Sequence, residues 1–271
     1  NEMSAKEKIK QRWFVPAGLE PTEMDLKIME WQEKGKIVPT RDLIKTHEQI
    51  EGIRQAGVLN TAVLDLVAEK IHEGMSTLEI DQLVYDFTTK HGGVPAPLNY
   101  EGFPNSCCTS INDVVCHGIP SADDILIEGD IINVDCTTTL NGYYADASRM
   151  FVIGKTTPER QRLVDVAWDC LKAGEKVCQQ PYVFVGDIGN AVAKLAHANG
   201  YTVVRDLCGH GVGVEFHEEP DVVHYGRKGT GMLLVPGMTF TIEPMINEGD
   251  WEVCGDAEDP TEWIVLTEDG T

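Results

Sequence analysis

The sequence predicts an α+β domain in which one helix–helix–strand run follows another, and three observations predict it. Capping boxes open two consecutive helices after residue 45. Residues 94–154 then change period and are dominated by strands and turns around an Asn-Gly pair. The same order returns, with a helix start at Thr157-Pro158 and strand signals from "YTVVRDL" to the end. No sequence repeat links the two runs, so their likeness is one of order alone.

Taken in order, residues 1–44 are of mixed charge, interrupted by Pro16, Pro21 and Pro39, and read as an extension with one helix near 21–34 and no chemistry. Thr46-x-x-Gln49 opens a helix through about 73, with Ile50, Ile53, Val58, Leu59, Ala62, Val63 and Leu66 on its inner side and Gly74 as its stop. Ser76-x-x-Glu79 opens the next, to about 90, closed by His91-Gly92-Gly93. Thr157-Pro158 puts proline at the first position of a helix to about 178. Asp187 is expected to cap a helix over 188–198, ended by Asn199-Gly200, and "GMTFTIEPMI" (237–246) and "EWIVLT" (262–267) read as strands.

A chain of 271 residues, 42% of them hydrophobic, can bury one large core or two small ones. No run approaches the roughly 18 apolar residues of a membrane span, and "NEMSAKEKIKQRW" lacks the apolar core of a signal peptide. The eight cysteines are scattered without a C-x-x-C pair, as expected of reduced thiols in a cytoplasmic protein. The net charge is −22, yet residues 1–45 hold 9 Lys/Arg against 8 Asp/Glu, so the acid excess lies in the remainder. Such a body repels phosphate backbones, which argues against a nucleic-acid groove. A solvated acidic surface accounts for most of the charge; a few acids converging on cations is the sharper reading.

"NVDCTTTLNGYYADASRM" (133–150) shows where they would converge. Asn141-Gly142 is the signal of a two-residue hairpin turn, and that turn sets Leu140 opposite Tyr143 and Thr137 opposite Asp146. Asp135 shares the face of Thr137 because side chains alternate, so Asp135 and Asp146 become diagonal neighbours, roughly 7–8 Å apart at the backbone. Two like charges so placed need a cation between them or a proton on one. A two-acid metal site is the favoured reading; a protonated or solvent-facing pair is the other.

Further candidates lie downstream. "LCGHGVGVEFHEEP" (207–220) sets His210 between glycines, with His217 seven residues on; a lone histidine is more often structural, but two beside acids are less easily dismissed. In "GMTFTIEPMI", Met238, Phe240 and Ile242 take one face, and Thr239, Thr241 and Glu243 the other. His117, in "VVCHGIP", is an active-site candidate or a capped turn residue. Asp135, Asp146, His210 and Glu243 form an oxygen-rich set with one imidazole, suited to Mn²⁺, Fe²⁺, Co²⁺ or Zn²⁺. Bridging carboxylates suggest two ions, and two-metal sites activate water for hydrolysis.

These four segments, "VVCHGIP", "NVDCTTTLNGYYADASRMF", "GHGVGVEFHEEP" and "PGMTFTIEPM", resemble the successive signatures of type I methionine aminopeptidases, over a match from about residue 45 to the end. The resemblance implies the pita-bread fold, two pseudo-symmetric halves around a dinuclear metal site. It implies an extension over 1–44 and a catalytic domain over 45–271. It also implies Asp135, Asp146, His210 and Glu243 as metal ligands, Asp146 bridging, with His117 and His217 as active-site histidines that are not ligands. Tyr100, Phe103, Cys108, Phe216 and Trp263 match the family's methionine pocket, though each fits ordinary core equally well. Glu243 is then the general base, His217 acts on the substrate carbonyl and His117 on the following amide nitrogen. The implied activity removes the initiator methionine from nascent proteins ahead of a small second residue, in a cytoplasmic monomer.

One departure stands out. The family's fifth ligand, a late bridging glutamate, has no counterpart in "EWIVLTEDGT", where Glu262 precedes the strand and Glu268 follows it. The chain is therefore expected to stop short of that ligand and of the last strand, with the second ion held weakly. A pita-bread peptidase acting on X-Pro bonds, or a catalytically impaired or non-catalytic binding protein on the same fold, are the alternatives. Docking of the extension on a larger partner such as the ribosome is a further open reading.

Overall fold

Hydroxyl caps open the helices of the computed structural model, which describes residues 3–271. Ser4, Thr22, Thr46, Ser76 and Thr157 each accept a backbone N–H from the third helical residue, satisfying a donor that the helix leaves free. They start α1 (Ala5–Ile9), α2 (Glu23–Glu33), α3 (His47–Lys70), α4 (Thr77–Lys90) and α5 (Pro158–Val177). The helix α6 (Val185–Ala198) begins earlier than expected. Asp187 is its third residue, and the carboxylate reaches back to accept the N–H of Phe184 at 2.8 Å, so an acid inside the first turn caps as well as one before it.

The strands are β1 (Val94–Pro95), β2 (Cys108–Ile111), β3 (Val114–Cys116), β4 (Ile131–Leu140), β5 (Tyr143–Val152), β6 (Thr202–Val203), β7 (Gly209–Gly211), β8 (Glu218–Val222), β9 (Ile246–Asn247), β10 (Val253–Gly255) and β11 (Val265–Thr267). Asn141 and Gly142 take φ of 51° and 83°, the positive values that a two-residue turn of this type requires. β4 and β5 pair in the register that the turn dictates, Leu140 with Tyr143 and Thr137 with Asp146. β4 also pairs with β1 and β2, completing a four-stranded antiparallel sheet. β3 pairs with β11 from the far end of the chain, and β11 with β10. That pairing brings the residues after β3 against those before β11.

Two cores reflect the two helix–helix–strand runs. Val63, Leu64 and Val67 of α3 and Ile80 and Val84 of α4 bury against Ile132, Val134 and Cys136 of β4. Val166 and Cys170 of α5 and Ile188 and Val192 of α6 pack with Val203, Val222 and Leu234. Each fully buried aliphatic side chain contributes about 1.5–3 kcal/mol. α3 approaches β5 closely because Gly52 lies against the ring of Tyr143, where no Cβ fits. The extension is packed too: Met24, Ile28, Trp31, Val38 and Ile44 cover Phe184, Leu233 and Val235.

Three expectations need correction. Val58 is 68% exposed; the buried stripe of α3 runs through Ala56, Leu59, Asn60, Val63, Leu64 and Val67, and Val58 falls on the opposite side. α3 also ends at Lys70, because Ile71 leaves helical geometry with ψ 130°. Residues 237–246 do not form a continuous strand; an isolated bridge joins Gly211 and Phe240, and β9 begins only at Ile246. Side chains take over the ladder there. Thr241 Oγ1 accepts the N–H of His210, His224 Nε2 accepts that of Glu243, and Pro244 has none to give.

Candidate metal centre

The β4–β5 hairpin supplies two acids. Asp146, opposite Thr137, and Asp135, opposite Ser148 on β5 and Cys108 on β2, lie on one face as the register requires. β7 supplies His210, whose backbone N–H is held by Thr241 Oγ1 at 3.0 Å. Its Nδ1 lies 2.8 Å from the carbonyl oxygen of Gly211. Donation there places a proton on Nδ1, so that with a cation present Nε2 would offer its lone pair, the arrangement usual for a metal-binding imidazole. Nε2 sits 3.2 Å from Asp146 Oδ2 and 3.4 Å from Glu243 Oε1. Glu243 stands on the same face as Thr241, whose hydroxyl donates to Oε1 at 2.6 Å. One potential ligand atom from each of Asp146, His210 and Glu243 falls within 4.8 Å of the other two.

The charges in this cluster are not balanced by protein cations. Burial, then the charges of Asp146 and Glu243, push the Asp135 carboxyl well above its usual range. Burial and Asp146 raise Glu243 to about 7. Burial lowers the His210 pKa, but hydrogen bonds to Asp146 and Gly211 and the charge of Glu243 outweigh it, for a net rise. Among the described residues no lysine or arginine pairs with these acids. Three acids whose ionised forms repel one another, beside one imidazole lone pair, fit a divalent cation of the Mn²⁺-to-Zn²⁺ kind. Neither Glu262 nor Glu268 joins the cluster; both side chains are exposed.

Around the cluster stands an aromatic wall. His217 Nδ1 lies 2.9 Å from the Tyr100 hydroxyl, and its ring is 4.2 Å from those of both His210 and Phe216. Burial, with His210 adding to it, lowers His217 to about 4. Tyr100 meets Phe216 at 4.7 Å. On the other side Trp263 stands edge-on to Phe103 at 5.5 Å and to His117 at 5.6 Å, as the β3–β11 pairing arranges. His117 has φ 57°, and burial lowers its pKa against an opposing hydrogen bond at Trp263. Gly118 leaves no space for a side chain against the backbone of Thr109, which holds His117 close to β2. Cys108 pairs with Asp135, and its thiol is raised by burial and by that charge.

The structure thus brings Asp146, His210 and Glu243 within reach of one ion, sets Asp135 close enough to feel the charges of Asp146 and Glu243, and places His217, Tyr100 and Phe216 in one aromatic group and His117, Phe103 and Trp263 in another. Four others had no role assigned from the sequence. Thr241 and His224 hold Glu243, Tyr144 stacks on Phe216 at 6.1 Å, and the Cys116 thiol is raised by burial and then by Asp135 and Glu243. Thr241 shares the alternation of Glu243 and was accessible to that signal. The others are brought in by long-range pairing that no local pattern marks.

The chain belongs to metallopeptidase family M24, whose sequence profile matches residues 51–265, and its architecture is the pita-bread fold of that family. Methionine aminopeptidases are among its similar proteins. Methionine aminopeptidase A of Synechocystis sp. is 46% identical over 227 residues, covering 83% of this chain and 87% of that protein. Methionine aminopeptidase of Escherichia coli K12 is 44% identical over 211 residues, 78% of this chain and 80% of the other. The crystal structure of methionine aminopeptidase from Rickettsia prowazekii superposes with a TM-score of 0.80 at 43% identity, covering 84% of this chain and 90% of that one. The prolidase from Pyrococcus furiosus, at 24% identity and a TM-score of 0.61, shares the fold alone.

Proposed function

We propose that this protein is a metallo-aminopeptidase that removes the initiator methionine from nascent chains with a small second residue. The observation that carries the reading is the convergence of Asp146, His210 and Glu243 beside Asp135, in a chain whose similar relatives are named methionine aminopeptidases. Asp135, Asp146, His210 and Glu243 would hold one or two divalent ions of Mn, Fe, Co or Zn. Such ions, when bound, polarise a carbonyl and make water a competent nucleophile near neutral pH.

The chain's own residues do the rest. Glu243 takes the proton from the attacking water and passes it to the leaving amine. His217 Nδ1 lies 2.9 Å from the Tyr100 hydroxyl; with the hydroxyl as donor, the Nε2–H of His217 is left to stabilise the oxyanion at the substrate carbonyl. His117, braced by Trp263, contacts the amide nitrogen of the second residue. The acids receive the free ammonium group, which restricts action to chain ends. Tyr100, Phe103, Cys108, Phe216 and Trp263 form the wall for the methionine side chain.

The setting is the cytoplasm and the working form a monomer. Residues 1–44 form the extension and 45–271 the catalytic domain. The extension exposes Trp13, Val15 and Leu19 and is the element that would meet a larger assembly such as the ribosome. Its cations Lys6, Lys10 and Arg12 are engaged by Glu23, Glu20 and Glu33, so such docking would be apolar more than electrostatic.

Comparison of Met-Ala-Ser with Ala-Pro peptides tests the specificity. Metal-dependent release of methionine with little cleavage of Ala-Pro supports the reading. Preferential cleavage of Ala-Pro would replace it with an X-Pro peptidase, and no cleavage of either would leave a binding protein.

A further inference from the structure

A buried ion pair stands behind the His217 loop. Lys45 Nζ contacts Glu218 Oε1, with side chains 1% and 11% exposed. Every other Lys or Arg pair among the described residues has a partner at least 35% exposed. Glu218 directly follows His217 and opens β8, facing Gly211 across the ladder. Its other oxygen, Oε2, accepts the N–H of Glu215 at 3.2 Å. One carboxylate thus closes the loop 212–217 from inside and fastens its base to Lys45. Lys45 is itself fixed: its backbone N–H donates to Gly237 at 2.9 Å, and Thr46 next to it caps α3, the helix packed on β4 and β5.

We propose that Lys45 and Glu218 are positioning residues for catalysis, a buried clamp that sets the aim of His217 by tying its loop to the start of α3 and to the segment leading to Glu243. The inference rests on the role given above to His217. A charge pair in this place costs desolvation that an apolar pair would avoid, so its presence calls for a role beyond stability. The clamp and the Tyr100 hydroxyl hold His217 from two directions, one through its backbone and one through its ring.

The test removes both charges together, Lys45→Met with Glu218→Gln, so that no unpaired charge is left inside and glutamine still accepts from Glu215. Kinetics on Met-Ala-Ser with saturating Mn²⁺ should show kcat down about tenfold or more, with KM changed less than about twofold. The same pair of changes on a His217→Ala background should cost less than about twofold, because residues acting through one group are not additive. In the full chain, with no need of metal or activity, amide exchange over 212–217 should accelerate about tenfold while α3 is unchanged. An unaltered kcat, an equal loss on the His217→Ala background, or unchanged exchange would overturn the clamp. Should the double variant fail to fold, Lys45→Gln with Glu218→Gln, a neutral pair that can still hydrogen-bond, gives the same three readings. An inactive wild type would sink the proposed function, while the exchange measurement would still decide on the clamp.

Discussion

The backbone N–H of Glu243 donates to Nε2 of His224 across 3.0 Å. His224 is fully buried, and burial lowers it to about 4, so it is a neutral acceptor whose proton sits on Nδ1. Nδ1 itself has no partner among the described residues. The imidazole therefore substitutes for a strand neighbour at the point where Glu243 turns toward the acids. His224→Phe leaves the Glu243 N–H without an acceptor, a loss of about 1–3 kcal/mol. Thermal denaturation should show a Tm lower by several degrees, and metal titration an affinity about tenfold weaker. His224→Gln, which keeps an acceptor, should lose less on both counts. Equal losses would show that only the volume of the ring matters.

Asp135 is the acid whose ionised form the fold disfavours most visibly, being buried beside Asp146 and Glu243. Removing it should remove the reason for a cation to bind. Metal analysis of purified Asp135→Ala should find less than about a tenth of the wild-type content. Unchanged content would reject Asp135 as a ligand.

His217 and Tyr100 form a graded pair. His217→Ala should lower kcat on Met-Ala-Ser about 10²–10³-fold with metal content unchanged, the size expected for loss of one oxyanion donor. Tyr100→Phe removes only the hydroxyl that orients the ring, and its kcat should fall by a smaller factor, about fivefold. A Tyr100→Phe loss equal to that of His217→Ala would mean that the hydroxyl itself, and not the imidazole, meets the substrate.

Acid stability should report on the wall that carries Trp263. Burial raises the Asp259 carboxyl, but hydrogen bonds from the backbone of Ile264, from Thr261 and from Trp263 outweigh it and hold the pKa below the ordinary 3.8. A pKa lower in the folded than in the unfolded chain gives stability that is present above the unfolded value and lost as pH falls through the folded one. Asp259→Asn should therefore lower Tm by a constant amount above about pH 5, and the gap should close below about pH 4. A gap that widens on acidification would contradict the assignment.

The hairpin was legible because Asn141-Gly142 leaves one turn geometry open, and that geometry fixes every cross-strand pair down to Asp135 and Asp146. The caps at Thr46, Ser76 and Thr157 were legible for the same reason, since each is decided within four residues. Residues 237–246 misled: their alternation is real, with Met238, Phe240 and Ile242 half-buried against the core, but Thr241 and His224 supply hydrogen bonds where a strand would use its neighbour. Asp135, Asp146, His210 and Glu243 could be grouped by donor chemistry, but no local pattern showed that they meet, because 97 residues separate Asp146 from Glu243 along the chain. Lys45 and Glu218, 173 apart, meet only because the tertiary fold sets the segment ahead of α3 against the start of β8. No local pattern encodes such an encounter.

The most direct measurement is anomalous diffraction from crystals soaked in Mn²⁺. A peak bordered by Asp135, Asp146, His210 and Glu243, absent from crystals of Asp146→Asn, is the predicted result. Manganese bound elsewhere, or the four side chains left without a peak at saturating ion, would contradict the metal centre and the peptidase chemistry built on it.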